Sequence, residues 1–382
     1  MSFARPIRVL IVDDSAMIRK VLHMGLSEDS RFDVVGTAAR ASIAEEMIKS
    51  LKPDVITLDI EMPKMNGIDF LLSRSEDQKI PTVIISSHTP HEASLTIKAL
   101  EAGAVDVIEK PAGGTAQNLK SIMIDIRNRI AQAANVKGTP ALAPRQSVAQ
   151  SGTIRSLSAK RTEAAMSTGV IERDWLFAIG ASTGGVQALA TVLPMFPREA
   201  PGIVIVQHMP GGFTKSFADR LDSICQMSVK EAEHGDEIRA GQVLLAPGGD
   251  LHMVVRKTQS TFRVHLIEGD PVCFSRPSVD VLFESVAREV GQKVTAALLT
   301  GMGKDGAQGM RKIREGQGRT FAQDEASCTV FGMPRAAHEV NASEKLITLN
   351  DIPAAMMDSI GRMPRKNDTV SQKISSLLRQ KI

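Results

Sequence analysis

IRVLIVDDS, residues 7–15, runs a short apolar segment into two adjacent carboxylates, Asp13 and Asp14. A run this brief, stopped by charge, reads as a buried strand rather than a signal-peptide core or a membrane span. The segment that follows places Ile18, Val21, Leu22, Gly25 and Leu26 on one face at helical spacing. The same alternation recurs, with strands predicted near 33–37, 54–59, 81–86 and 104–108, each followed by an amphipathic stretch. Strand and helix alternating at this length imply a parallel sheet covered on both faces. Residues 5–133 are therefore predicted to form a five-stranded, parallel, doubly wound α/β domain.

Beyond it, residues 134–172 collapse into Ala, Ser, Thr, Pro, Gln and basic residues without hydrophobic period, the composition of a flexible linker. Periodicity resumes at Trp175, where WLFAIG, GIVIV and TAALL alternate with helical segments such as SVDVLFESVAREV. This predicts a second, mostly parallel α/β domain over 173–362. Between 227 and 267 closely spaced β-rich segments without helices predict an antiparallel excursion. In the tail, 363–382, Ile374, Leu377, Leu378 and Ile382 have helical spacing, fitting either a short terminal helix or a frayed end.

Composition narrows the function. Aromatic residues make up 3% of the chain and net charge is only +3, so neither a base-stacking surface nor a phosphate-backbone footprint is expected, and nucleic acid is not a predicted partner. Cys225, Cys273 and Cys328 are isolated, which argues against disulfides or structural zinc and for a reducing compartment. No stretch approaches the length of a span, so membrane insertion is not expected and the chain is read as cytoplasmic.

The chemistry of the first domain lies at predicted strand ends. Asp13 and Asp14 follow the first strand and Asp59 closes the third, and in a parallel sheet these ends share the ligand-binding edge. Clustered oxygen ligands without sulfur or imidazole suit Mg²⁺. Ser86 ends the fourth strand and Lys110, before Pro111, ends the fifth, so a hydroxyl and an ammonium converge on the carboxylates as acyl-phosphate stabilisers would. VDDS, TLDIEMPKMNG, IISS and EKP, in that order, resemble a two-component receiver domain. The resemblance implies that Asp59 accepts phosphate from a histidine kinase, that Asp14, Asp59 and the Glu61 backbone carbonyl ligate Mg²⁺ with Asp13 acting through water, and that Ser86 and Lys110 contact the phosphoryl group. Val107 stands where many receivers carry an aromatic switch residue.

In the second domain IGASTGG, 179–185, reads as strand, tight turn and helix. A dinucleotide loop wants an acidic residue closing the next strand, which instead ends Val206-Gln207-His208, and a phosphate loop wants Gly-Lys before Ser or Thr, where this chain has Asp305. The remaining reading is a nucleophile turn carrying Ser182. His208 lies just past the next strand and Asp305 just past the strand at 294–299, giving Ser, His and Asp one common edge. Thr183 is an alternative hydroxyl, disfavoured as more hindered. His234, His252 and His265 are alternative imidazoles, and Asp280 an alternative acid that reads better as a first-turn helix carboxylate. Met302 and Met333 read as core filler.

IGASTGG, QHMPGGFTKSFADRL, RPSVDVLF, LLTGMGKDG and EASCTVFGMPRAA together resemble the chemotaxis protein-glutamate methylesterase domain, and the whole chain resembles the two-domain response-regulator methylesterases. The resemblance implies Ser182 as nucleophile, His208 as general base, Asp305 as its orienter and backbone amides near Thr183 and Met302 as oxyanion donors. It implies methylated glutamates on the cytoplasmic helices of chemoreceptors as substrates, deamidation of certain glutamines, and no cofactor for the esterase half.

Overall fold

The computed structural model describes residues 5–74, 80–87, 89–111, 116–136, 175–259 and 261–360. In the first domain β1 (Ile7–Val12), β2 (Phe32–Ala38), β3 (Val55–Leu58), β4 (Thr82–Ser86) and β5 (Asp106–Glu109) form one sheet, ordered β2-β1-β3-β4-β5, with every pair parallel. Helices α1 (Ala16–Ser27), α2 (Ala41–Leu51), α3 (Gly67–Leu72), α4 (Pro90–Glu101) and α5 (Ala116–Ala133) cover it. Local chemistry starts them: Ser15 accepts from the Ile18 amide to cap α1, and Thr89 caps α4 with Pro90 in its first turn. Because β1 has β2 on one side and β3 on the other, strand order reverses there, and the crevice between their carboxyl ends holds Asp13 and Asp59.

The predicted linker begins at a helix end: Val136 is still buried against the first domain's core, while 137–172 and the predicted tail 363–382 lie outside the described residues.

The second domain carries a seven-stranded sheet ordered β14-β13-β12-β6-β7-β9-β8, parallel throughout. Its strands are β6 (Leu176–Ala181), β7 (Gly202–Gln207), β8 (Ser228–Glu231), β9 (Gln242–Leu245), β12 (Val294–Leu298), β13 (Arg319–Gln323) and β14 (Lys345–Ile347). β6 and β7 are buried along their whole length, as expected of central strands with helices on both faces. Flanking helices are α6 (Gly185–Val192), α7 (Phe213–Asp222), α8 (Val279–Val290), α9 (Ala307–Glu315), α10 (Met333–Glu339) and α11 (Ile352–Asp358). The Trp175 indole donates to Thr295 Oγ1 at 3.0 Å, pinning the start of β6 to β12.

The β-rich stretch divides into two kinds of pairing. β8 and β9 extend the parallel sheet, while β10 (His252–Lys257) and β11 (Phe262–Ile267) form the antiparallel pair. The link from β8 to β9 is too short for the usual crossover helix, which is why its sequence reads like a hairpin. Among the described residues no helix is long and apolar enough to cross a membrane.

β6 is the switch point of this sheet, with β7 on one side and β12 on the other. Gly180 lets α8 lie close over it: a Cβ there would sit 2.3 Å from Val279 Cγ1 and 2.9 Å from Leu298 Cδ1. We therefore expect Gly180→Ala to destabilise the second domain by about 1–3 kcal/mol, the usual cost of overpacking. Urea unfolding followed by Trp175 fluorescence measures it, and an unchanged midpoint would show that Val279 can swing aside.

Candidate active site and phosphoacceptor site

After β6 the chain turns sharply through Ser182, Thr183 and Gly184 into α6. Gly184 has φ +79°, and a Cβ there would lie 2.5 Å from Thr329, so the turn requires glycine. The turn is held from several sides. The Ser182 amide donates to the Thr300 carbonyl at 3.0 Å, the Gly185 amide to the Ser182 carbonyl at 2.7 Å, Gln207 Nε2 to the same carbonyl at 2.9 Å, and Thr300 Oγ1 to the Thr183 carbonyl at 3.0 Å. Ser182 is half-buried at the carboxyl edge of the sheet.

Ala181 pairs with Gln207 in the β6–β7 register, so Ser182 and His208 are the next residues on neighbouring strands. The His208 amide donates to the Ala181 carbonyl at 3.0 Å, and its ring Nε2 lies 2.8 Å from Asp305 Oδ2. Asp305 sits in the loop after β12 against the N-terminus of α8. There Oδ1 accepts from Ser278 Oγ (2.8 Å), the Asp280 amide (2.9 Å) and the Gly306 amide (3.0 Å), and Oδ2 accepts from the Val279 amide (2.8 Å). Burial pushes the Asp305 pKa up, but the bonds from His208, the Asp280 amide and Ser278 outweigh it and hold the carboxyl below the usual range. An ionised carboxylate can only accept, so His208 Nε2 carries a proton, which in the neutral imidazole leaves the lone pair on Nδ1.

The hydroxyl facing that lone pair in this conformation is Ser275 Oγ, 3.4 Å away, which the sequence reading did not single out. It ends a tight turn in which the Val272 and Ser275 backbones bond reciprocally, with Cys273 at φ +51° and Phe274 at φ +64° between them. Two consecutive left-handed residues make the pattern of a type I′ turn, usually Asn-Gly, and each non-glycine residue there costs roughly 1–2 kcal/mol. Ser278, the cap of α8 and a holder of Asp305, was likewise missed, although RPSVD carries the signal of a helix start.

The alternatives separate on geometry. Thr183 is buried, and its Oγ1 donates to Asp106 Oδ2 of the first domain at 2.9 Å. His252 is occupied at both nitrogens, Nδ1 accepting from the Ser278 amide and Nε2 facing the Asp270 carbonyl. His265, within β11, and His234 meet edge to face with ring centroids 4.7 Å apart. Asp280 lies in the first turn of α8 and accepts from the Gly309 amide at 2.7 Å; burial, reinforced by the charge of Asp305, pushes its pKa up to about 6. Met333 is buried, whereas Met302 is 45% exposed in the loop before Asp305 rather than core filler.

In the first domain the carboxylates of Asp13, Asp14 and Asp59 each offer an oxygen within 4.8 Å of the others. Lys110 Nζ donates to Asp59 Oδ2 at 2.7 Å and lies 3.5 Å from Asp13 Oδ2. Burial, with the Asp13 charge adding to it, pushes the Asp59 pKa up to about 6 even against Lys110. Asp13 Oδ2 is buried without a hydrogen-bond partner among the described residues, so this all-oxygen pocket fits a hard divalent cation such as Mg²⁺. Ser86 is fully buried; its hydroxyl donates to Glu92 Oε2 at 3.1 Å and accepts from Thr96 Oγ1 at 3.1 Å, both on α4.

The two sites are linked by the α4 and β5 side of the first domain, which lies over the Ser182 edge. Besides Thr183 to Asp106, Gln187 Nε2 donates to the Ala104 carbonyl at 2.8 Å and Arg220 Nε to Glu101 at 2.7 Å. Asp106 is held in turn by Arg129 at 3.1 Å and by the Val107 amide. Between the domains a cavity of about 10 Å³, lined by Asp106, Ser182, Gln207 and His208 among others, has room for about one water.

Residues 9–122 match the family model for the response regulator receiver domain and 177–356 that for the CheB methylesterase. The chain is 51% identical over 350 residues to the protein-glutamate methylesterase/protein-glutamine glutaminase 2 of Cereibacter sphaeroides, covering 92% of this chain and 91% of that one. It is 43% identical over 359 residues to the protein-glutamate methylesterase/protein-glutamine glutaminase of Syntrophotalea carbinolica, covering 93% and 98%. Among solved structures, the Thermotoga maritima CheB methylesterase catalytic domain covers 48% of this chain and 97% of its own, at 39% identity and TM-score 0.47.

The two buried acids should respond oppositely to neutralisation. Asp305→Asn puts an amide where five donors point, and turnover of an ester is expected to fall by about 10³–10⁴ as the imidazole loses its tautomer. Asp280→Asn should keep most activity. Because the Asp280 pKa is higher in the fold than in the unfolded chain, the native state binds the proton better, and its ionisation penalty grows as pH rises from about 4 to 6. Asp280→Asn should therefore gain stability relative to the parent at pH 7, with the difference shrinking as pH falls from about 6 to 4 and vanishing below about pH 4. Denaturant unfolding at several pH values checks this; an inactive Asp280→Asn beside an active Asp305→Asn would reverse the assignment.

Proposed function

The chain belongs to the family of receiver-linked CheB methylesterases, which are carboxylic ester hydrolases, and on that premise we propose that it demethylates glutamates of chemoreceptor cytoplasmic helices under histidine-kinase control. The observation that carries this reading is the His208–Asp305 pair beside Ser182 at the switch-point edge of the sheet.

His208 Nδ1 takes the Ser182 hydroxyl proton as Oγ attacks the γ-carbonyl of the methylated glutamate, and Asp305 stabilises the resulting imidazolium. The Ser182 amide is committed to Thr300, and by likeness to the family the oxyanion is assigned to the backbone amides of Thr183 and Met302. His208 returns the proton to the departing methoxide, releasing methanol and leaving a γ-glutamyl ester on Ser182. Water, deprotonated by His208, cleaves that ester to free glutamate and restores the serine. A glutamine amide follows the same course with ammonia as leaving group.

In the receiver Asp59 is the phosphoacceptor. Asp14, Asp59 and the Glu61 carbonyl would hold Mg²⁺, with Asp13 acting through water, and Ser86 and Lys110 would contact the phosphoryl oxygens. Bound Mg²⁺ supplies charge neutralisation for those oxygens. To donate to them the Ser86 hydroxyl gives up its bond to Glu92, which ties phosphorylation to α4, the helix on the interdomain contact.

Methanol release from methylated receptor membranes, with and without a small-molecule phosphodonor, tests the reading. Ser182→Ala should lose several orders of magnitude in turnover, as loss of a serine nucleophile does. Asp59→Asn should keep the unphosphorylated rate and lose the response to phosphodonor. Full release by Ser182→Ala with none by Thr183→Ala would identify the wrong hydroxyl.

The interdomain contact makes a separate prediction. Thr183→Val removes the hydroxyl from Asp106 but leaves Asp106 its bonds to Arg129 and Val107, so the receiver stays folded while its hold weakens. A lost hydrogen bond to a charged group is worth about 1.5–3 kcal/mol, so unphosphorylated activity should rise about tenfold or more. No rise, with phosphorylated activity intact, would show that this contact does not restrain the closed state.

A further inference from the structure

Phe274 is 99% exposed although the receiver is in place, and it is one of three large apolar side chains exposed in the second domain among the described residues, with Met195 and Met302. Its backbone is in the left-handed region, as is that of Cys273 before it, where a bulky residue is a genuine outlier. Asn-Gly would make the same turn without strain and without an exposed ring. The turn is not loose. Arg276 donates to the Gly269 carbonyl at 2.9 Å and pairs with Asp250, and His252 accepts from the Ser278 amide just beyond. It is also fastened to the reacting groups. Ser275 Oγ lies 3.4 Å from His208 Nδ1, and Cys273 Sγ lies within 4.8 Å of carboxylate oxygens of Asp280 and Asp305. Strain held in place beside a reaction centre, presenting an aromatic ring to solvent, is what a contact residue for a macromolecular substrate requires.

We propose that Phe274 is a specificity-determining residue that packs against apolar side chains flanking the esterified glutamate on the helical protein substrate. It grips the protein around the ester and not the ester itself. The proposal rests on the methylesterase reading above. Because the ring is exposed in the receiver-covered conformation, it can engage a substrate before the Ser182 edge is uncovered.

The test compares methylated receptor membranes with a small ester, p-nitrophenyl acetate, using the full chain with phosphodonor. Phe274→Ser should raise KM for the receptor about tenfold, the size of a modest interface hot spot, with kcat and small-ester hydrolysis within about twofold of the parent. Phe274→Leu should restore most of the affinity. Cys273→Asn combined with Phe274→Gly relieves the turn, so it should raise the unfolding temperature while raising KM, opposite signs that a purely structural role does not produce. Unchanged receptor KM in Phe274→Ser, or equal losses on both substrates, overturns the proposal. A parent chain that hydrolyses the small ester but releases no methanol from receptors overturns the substrate reading, and this proposal with it.

Discussion

The Asp305 carboxylate receives the hydroxyl of Ser278, the amides of Val279, Asp280 and Gly306, and the ring of His208. These five donors come from the N-terminus of α8, the loop after β12 and the end of β7, so one anion ties together the three segments that build the catalytic edge. The helix N-terminus favours the charge, and bonds to an ionised acceptor are about twice as strong as neutral ones. The ionised state in turn fixes the His208 tautomer. Removing the carboxylate would leave buried donors aimed at nothing, so folding and chemistry at this edge rest on the same group.

Much of this was legible in the sequence because parallel sheets concentrate chemistry at strand ends. IGASTGG, QHMP and TGMGKDG each follow an apolar strand, and the fold brings Ser182, His208 and Asp305 to one edge; the same logic located Asp13, Asp59, Ser86 and Lys110. What the sequence hid were contacts made across distance by ordinary polar residues. Ser275 reaches His208 through a turn whose left-handed backbone no Gly or Asn announces, and Glu92 and Thr96 hold Ser86 from a helix that reads as merely amphipathic. Thr183 was weighed as a nucleophile when its hydroxyl serves the interdomain contact. The parallel pairing of β8 and β9 was hidden by a connection without a helix.

The receiver departs from an aromatic switch at Val107, which is buried and lines the cavity between the domains. The groups that can carry a signal are instead the polar ones already joined to Ser86. Glu92 lies in the first turn of α4, while Leu100, Glu101 and Ala104, at and just past its far end, meet Gln187 and Arg220 of the catalytic domain. One helix thus touches the candidate phosphoacceptor pocket at its start and the partner domain at its end.

Thr183, which the receiver holds, is the immediate chain neighbour of Ser182, and the cavity lined by Ser182, His208 and Asp106 admits about one water. In this arrangement the cavity beside Ser182 is too small for an ester, so the receiver must move before that edge can act. For a two-state latch, graded output from a population of such molecules comes from the fraction that is unlatched at a given moment. A signal acting through that fraction alters how many molecules turn over and leaves the speed of each one unchanged.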